Sequence, residues 1–344
     1  MNKTFFLDLD PDQIRDYVFK NNQSKYRVTQ ILKWVYKKRV DMFSNCTDLP
    51  LEFRNNLDNK FYIHSLKLEK KVISAVDSSI KYLFRTEDNF EIITVFLPQL
   101  NRNSICLSTQ IGCPVKCYCC ASGKTEFRRN LTRGEILDQI MLVEKYEQKK
   151  VNSILFMGMG EPLLNYQNVI SAIKSLTDQI QFGYSRKNII VSTVGFVPQI
   201  KKLVKEKNNI RLALSLHAPD DTIREKIIKK NFPYSVKEIL DAGLDYSRKT
   251  KSRLTIEYIL ISGINDDLIT AAKLVKLIKK SANNTDRIQI NLIPYNPISR
   301  NSLKTPDDLT IKKFKEYLVS NGLLTIIRQP KGLDICAGCG QLIF

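Results

Sequence analysis

Three cysteines, Cys113, Cys117 and Cys120, sit in the string GCPVKCYCCASGK with C-x3-C-x2-C spacing. Thiolates this close on one loop can hold three corners of an iron–sulfur cubane, leaving the fourth iron open to a small molecule. Zinc competes for such a loop, but structural zinc prefers two C-x2-C halves and four ligands, and no second half lies nearby. Cys119, inside the motif, reads as a packing residue. The other thiols are Cys46, with no partner in sequence and an expected buried position, Cys106 just before the motif, and Cys336 and Cys339 in DICAGCGQL. Clustering of this kind reads as metal or thiol chemistry rather than a disulfide framework. A free cysteine is most often a small buried hydrophobe, and Cys106 alone fits that role as well as a chemical one.

The hydrophobic periodicity describes the scaffold that must present this loop. From Ile105 onward, apolar runs such as ICLSTQI, NSILFMG, NIIVSTVG, IRLALSLH, RLTIEYILI and RIQINLIPY alternate with amphipathic stretches such as NYQNVISAIKSL and LITAAKLVKLIKK. This rhythm predicts an α/β fold, a partial (β/α)6 barrel. Sites in parallel barrels are built at the carboxyl ends of the strands. The tips to watch are therefore Gly158 to Glu161, Ser192 and Thr193, Ser215 to His217, and Asn291 to Asn296. Upstream, residues 1–60 read as a helical accessory domain and 61–100 as a small antiparallel β extension. Residues 101–330 form the barrel and 331–344 a terminal loop.

Hydrophobic residues make up 43% and charged residues 26%, with 13 Gly and 12 Pro, which excludes collagen-like, low-complexity and largely disordered chains. The net charge of +19 implies a polyanionic partner. No apolar run approaches the ~20 residues of a membrane span. The opening MNKTFFLDLDPDQ turns acidic where a signal peptide would be apolar, so the expectation is a cytoplasmic protein with no membrane contact. Nothing in the sequence demands more than a monomer.

The C-x3-C-x2-C loop has the spacing of the radical S-adenosylmethionine (SAM) enzymes, and FMGMGEP at the next strand tip resembles their glycine-rich segment, here Gly158, Gly160 and Glu161. The match narrows with ICLSTQIGC, YRVTQILKWVY, FMGMGEPLLN, VSTVGFVP, LALSLHAP, INLIPYNP and DICAGCGQL. In this order they resemble the RlmN/Cfr family of radical SAM RNA adenosine methyltransferases, and the RlmN side more closely. The resemblance implies a [4Fe-4S] cluster on Cys113, Cys117 and Cys120, and SAM contacts from Gly160, Glu161, Ser192, Ser215, Leu216, His217 and Asn296. It implies that Cys339 carries the methyl group as S-methylcysteine, and that a radical from a second SAM activates it for addition to adenine. Cys106 then resolves the protein–RNA link, and the two cysteines end as a disulfide that must be reduced. The implied substrates are an adenosine of 23S rRNA and the tRNA adenosine beside the anticodon, both methylated at C2. Flavodoxin or ferredoxin would supply electrons. Ser192 could equally be a strand-end hydroxyl satisfying the backbone. His217 is assigned to binding SAM rather than to general-base work, and His64 to a surface or packing role.

Two readings compete: a Cfr-type C8 methylation of the same rRNA adenosine, and a zinc-stabilised RNA-binding protein without turnover. Lys33, Lys37, Lys38, Arg39, Lys70, Lys71, Lys229, Lys230, Lys249 and Lys251 are expected to contact phosphates. Lys124, Arg128 and Arg129 are expected to hold the RNA backbone at the barrel mouth. The sequence also departs from the family in two places. Where the family has a proton-accepting Glu before Thr-Val, this chain has Ile93. Glu91 is two residues earlier on the same strand face, about 7 Å away, and either substitutes through a bulge or is a solvated edge residue. Cys336 stands where the family commonly has Asp, and either competes in disulfide exchange with Cys339 or fills space.

Overall fold

The computed structural model describes residues 3–100, 102–206, 209–282, 284–299 and 302–342. Three helices open it: α1 (Pro11–Lys20), α2 (Tyr26–Tyr36) and α3 (Leu51–Lys60). Asp10 starts α1 with a capping box to Gln13, and Pro11 supplies the first-turn φ. Two short parallel strands, β1 (Thr4–Phe5) and β2 (Phe61–Tyr62), bracket these helices.

The antiparallel extension is β3 (Lys67–Ile73), β4 (Ile80–Arg85) and β5 (Glu91–Leu97). It continues directly into the barrel, because β5 pairs antiparallel with β6 (Ser104–Cys106), placing Val95 opposite Cys106. A small ladder of β7 (Gln110–Ile111) and β8 (Arg129–Asn130) flanks the cysteine loop. The parallel strands β9 (Ser153–Phe156), β10 (Ile189–Thr193), β11 (Arg211–Ser215), β12 (Leu254–Leu260) and β13 (Ile288–Pro294) follow in spatial order from β6, and β14 (Thr325–Ile327) adds a further parallel edge. The partial α/β barrel expected from the alternating pattern is present, with both flanks extended.

The connecting helices are α4 (Arg133–Glu147), α5 (Tyr166–Thr177), α6 (Val197–Lys205), the single turn α7 (Asp221–Arg224), α8 (Val236–Thr250), α9 (Leu268–Ser281) and α10 (Asp308–Ser320). Most of α4 is buried because it is sandwiched between the sheet and the amino-terminal region. Gly134 makes that approach possible: a Cβ there would lie 2.3 Å from the Phe5 ring. The Gly134 amide donates to Asp8 Oδ1 at 2.7 Å. His64, rather than being a surface or packing residue, ties the extension to α4. Its Nδ1 lies 2.6 Å from the buried Asp138, whose other oxygen accepts from the Ser65 and Leu66 amides.

The sheet edges are β3 and β14, so the barrel has an open seam beside β14. Arg328, one residue past β14, reaches across it to Met157 Sδ at 3.6 Å. No described helix is long and apolar enough to cross a membrane.

Candidate active site

One pocket at the carboxyl ends of the strands is lined by Cys113, Cys117 and Cys120 together with Gly160, Glu161, Ser192, Ser215, His217 and Cys339. The cysteine loop is clamped from two sides. Tyr118 and Cys119 amides donate to the carbonyls of Ile228 and Ile227 at 3.1 and 3.2 Å, and the Ala121 amide donates to Gly340 O at 2.7 Å. Ser122 Oγ donates to Leu342 O at 2.9 Å. The cysteine loop and the Cys339 loop are therefore bonded to each other.

Burial pushes the Cys113 thiol up to about 12 and raises those of Cys117 and Cys120, and each is raised further by its neighbouring sulfurs. Such crowding of buried sulfurs is unfavourable for thiolates by themselves and favourable once a cationic centre binds them. Among the described residues, no three Cys, His or acidic side chains converge on one ion-sized point. The three sulfurs share the wall of one pocket, a donor set that fits three corners of an iron–sulfur cubane. Cys119 is buried and packs with Ile227 and Ile228.

The GMGEP turn lies hard against β6, and a Cβ on Gly158 would fall 2.5 Å from the Leu107 carbonyl carbon. Gly160 has φ +99°, which disfavours any side chain, and a Cβ would meet Gln110. Glu161 is buried and accepts from the Leu163 and Val194 amides at 3.0 and 2.9 Å. Burial pushes its carboxyl up to about 7 against those hydrogen bonds.

Ser192 and Ser215 meet across adjacent strands, Oγ to Oγ at 3.3 Å. His217 has φ 62°, and its Nδ1 accepts from the Ile259 amide at 3.1 Å. Burial, reinforced by Arg224, pulls the ring down to about 3. That shift favours the neutral imidazole.

Other expected residues stand beside the pocket rather than on its wall. Leu216 packs in the core, and its carbonyl accepts from Arg224 Nε at 3.0 Å. Asn296 is buried behind the Cys339 loop and bonded to it. Cys106 packs with Ile93, Val95, Met159 and Ala337. Burial pushes its thiol up to about 12, with the Arg328 charge opposing and the Cys339 sulfur adding to the shift. All eight cysteines are free thiols, so the Cys106–Cys339 disulfide implied by the resemblance is not formed in this structure.

Glu91 does not reach the site. The β4–β5 register runs without a bulge from Ile80↔Phe96 to Arg85↔Glu91, so the substitution route is closed. Glu91 is four residues from Val95, the partner of Cys106, roughly 13 Å along the strand. Its carboxylate is 3.3 Å from Arg85. Ile93 itself is fully buried in the apolar patch around Cys106. Arg129 is engaged by Asp88 and Glu135 at 2.6 and 2.8 Å, Arg128 by Glu126 at 2.7 Å, and Lys124 donates to Ser299 O at 3.2 Å.

Three residues that the motif reading passed over stand at the pocket or directly behind it. Arg224, buried, donates to the carbonyls of Leu216, Ser215 and Val194, gathering two strand tips. Arg328 and Glu257 both line the pocket, 3.9 Å apart. Glu257 could have been found as the lone charge in the apolar run LTIEYIL, and Arg328 by its position just past a strand tip. Arg224 carried no local signal.

Comparison with known proteins agrees with this geometry. The radical SAM superfamily model matches residues 107–275, and the ribosomal RNA large subunit methyltransferase N-terminal domain matches residues 5–63. The chain is 46% identical over 340 residues to a probable dual-specificity RNA methyltransferase RlmN of Endomicrobium trichonymphae, covering 99% of this chain and 97% of that one. It is 42% identical over 336 residues to the protein of the same description from Thermotoga maritima, covering 98% and 96%. A radical SAM methyltransferase crystal structure from Sphaerobacter thermophilus superposes with TM-score 0.92 at 32% identity, covering 98% of both chains. The chain belongs to the radical SAM superfamily and, within it, to the RlmN family.

Proposed function

We propose that this RlmN-family radical SAM enzyme methylates C2 of an adenosine in 23S rRNA and of the tRNA adenosine beside the anticodon. The observation that carries the reading is the meeting of Cys339 with the three loop cysteines in one pocket, bonded through Ala121 to Gly340. Membership of the superfamily brings a [4Fe-4S] cluster and SAM. When bound, they supply one-electron cleavage of a sulfonium carbon–sulfur bond, the source of a carbon radical.

The chain's own residues do the rest. Cys113, Cys117 and Cys120 would hold the cluster, and Glu161, Ser192, Ser215 and His217 would orient SAM. Cys339 accepts a methyl group on sulfur, a nucleophilic role suited to an exposed thiol at the pocket mouth. An adenine C–H has no lone pair for direct displacement, and a sulfur-borne methyl supplies the carbon instead. Cys106 attacks the Cys339 sulfur of the resulting thioether: the Cys106–Cys339 bond forms and the bond from Cys339 sulfur to the methylene carbon breaks. That carbon keeps the electron pair and takes up a proton to become the methyl group, so the two thiols are oxidised as the carbon is reduced. The +19 charge supports an RNA substrate, and the target base must leave its stack to enter the pocket.

Anaerobic incubation of reconstituted enzyme with SAM, a flavodoxin-type reductant and unmodified rRNA or tRNA tests the reading by mass spectrometry. The expected product is 2-methyladenosine. Cys339→Ala should give none, and Cys106→Ala should trap an RNA–protein adduct. 8-Methyladenosine as the main product, or a colourless zinc protein, would overturn it.

A further inference from the structure

The family-like cycle leaves Cys339 oxidised to Cys106, and nothing so far returns it to a thiol. Cys106 is partly buried against Ile93, Val95, Met159 and Ala337 and is the less exposed partner of Cys339. Cys336, three residues from Cys339, is exposed, and so is Cys339. We propose that Cys336 is the regenerating thiol, moving the disulfide from the Cys106–Cys339 pair, half of it partly buried, to a Cys336–Cys339 pair of two exposed residues. This rests on the reading above that turnover ends with Cys106 and Cys339 joined.

The loop is built to hold both cysteines in place. Asp334 accepts from Ser74 Oγ at 2.7 Å and the Ala75 amide at 3.0 Å, and Asp77 accepts from the Gly332 amide at 2.8 Å. Lys81 Nζ donates to the carbonyls of Ile335 and Cys336 at 3.4 and 3.2 Å. On the other side of the pair, Gln341 Nε2 donates to Pro297 O at 2.9 Å. Between these anchors, only two residues separate the cysteines. The Cys336 amide donates to Leu333 O at 3.1 Å and the Ala337 amide to Gly332 O at 2.8 Å, so the chain leading into Cys336 is a tight turn.

Cys336 takes φ 50°, a left-handed conformation that Gly, Asn and Asp adopt far more readily than cysteine.

The exchange balances. The Cys336 thiolate attacks Cys339 Sγ, a Cys336–Cys339 bond forms, and the Cys106–Cys339 bond breaks. Cys106 leaves beside Arg328, whose charge couples to both Cys106 and Cys339, and takes up the proton that Cys336 lost. No net oxidation occurs in that step. An external dithiol then donates two electrons and two protons to the Cys336–Cys339 bond and becomes a disulfide itself. Burial favours the protonated form of Cys106, which supports the direction of transfer.

The experiment follows disulfides as well as product. Reconstituted enzyme is run through one turnover on RNA without dithiol, quenched by alkylation at intervals, and mapped by peptide mass spectrometry. Cys106–Cys339 should appear first and give way to Cys336–Cys339. In Cys336→Asp, which suits the left-handed turn, and in Cys336→Ser, Cys106–Cys339 should persist. Their multiple turnover at limiting dithiothreitol should fall on the order of tenfold. Failure to detect Cys336–Cys339 in the native protein, or re-reduction of Cys106–Cys339 at the native rate in both variants, overturns the relay. Absence of any Cys106–Cys339 bond in the native protein, with no adduct in Cys106→Ala, overturns instead the reading on which it rests.

Discussion

The side-chain amide of Asn296 donates to the carbonyl oxygen of Cys339 across 3.0 Å, joining the tip of β13 to a loop 43 residues further along the chain. The contact makes Asn296 a brace for the loop that presents the Cys339 thiol to the pocket.

Asn296→Ala therefore removes a hydrogen bond contributing about 1 kcal/mol to holding that loop. Methylation of the Cys339 sulfur, followed by peptide mass spectrometry with SAM alone, should slow roughly fivefold. Native-like loading would show that the loop is held without it.

Arg224→Ala should be far more damaging. It strands the carbonyls of Val194, Ser215 and Leu216, which now share one buried guanidinium. A loss of about 3 kcal/mol in urea unfolding is expected, together with weaker SAM binding by calorimetry. Arg224→Lys should recover only part, since one ammonium cannot reproduce the planar fork.

Glu91→Gln should leave methylation within about twofold of native, because the carboxylate is paired with Arg85 at the far end of β5. A collapse of activity with unchanged folding would show that Glu91 does serve the reaction.

The His64–Asp138 pair makes stability depend on pH. Burial pulls the imidazolium down, but the Asp138 hydrogen bond and charge, with Asp41, outweigh it, and the net shift is upward from 6.5. A raised folded-state value means that this stabilisation is fully present below the unfolded value and fades as pH rises through the folded one. Urea unfolding from pH ~6 to ~9 should show the decline, and His64→Gln should flatten it.

Much of the fold was legible because the barrel strands are short apolar runs ending in small or polar residues, as in NIIVSTVG. The Cys113, Cys117 and Cys120 loop stood out by spacing alone, and the structure sets all three on the wall of one pocket. What escaped was long-range pairing. The partner of His64 lies 74 residues away on α4. The role of Arg224 depends on carbonyls 8 to 30 residues upstream. Glu91 failed for a different reason: its face was right, but uninterrupted pairing with β4 set its level along the strand, which alternation does not encode.

The hydrogen bonds from Ser74 to Asp334 and from Gly332 to Asp77 make the β3–β4 turn a jig for the thiol-bearing segment. The two pieces are consequently one heritable cassette. An insertion in either would misplace the other, compensating changes should arise together in descendants, and a chimera exchanging only one of them should fold yet assemble a misregistered catalyst.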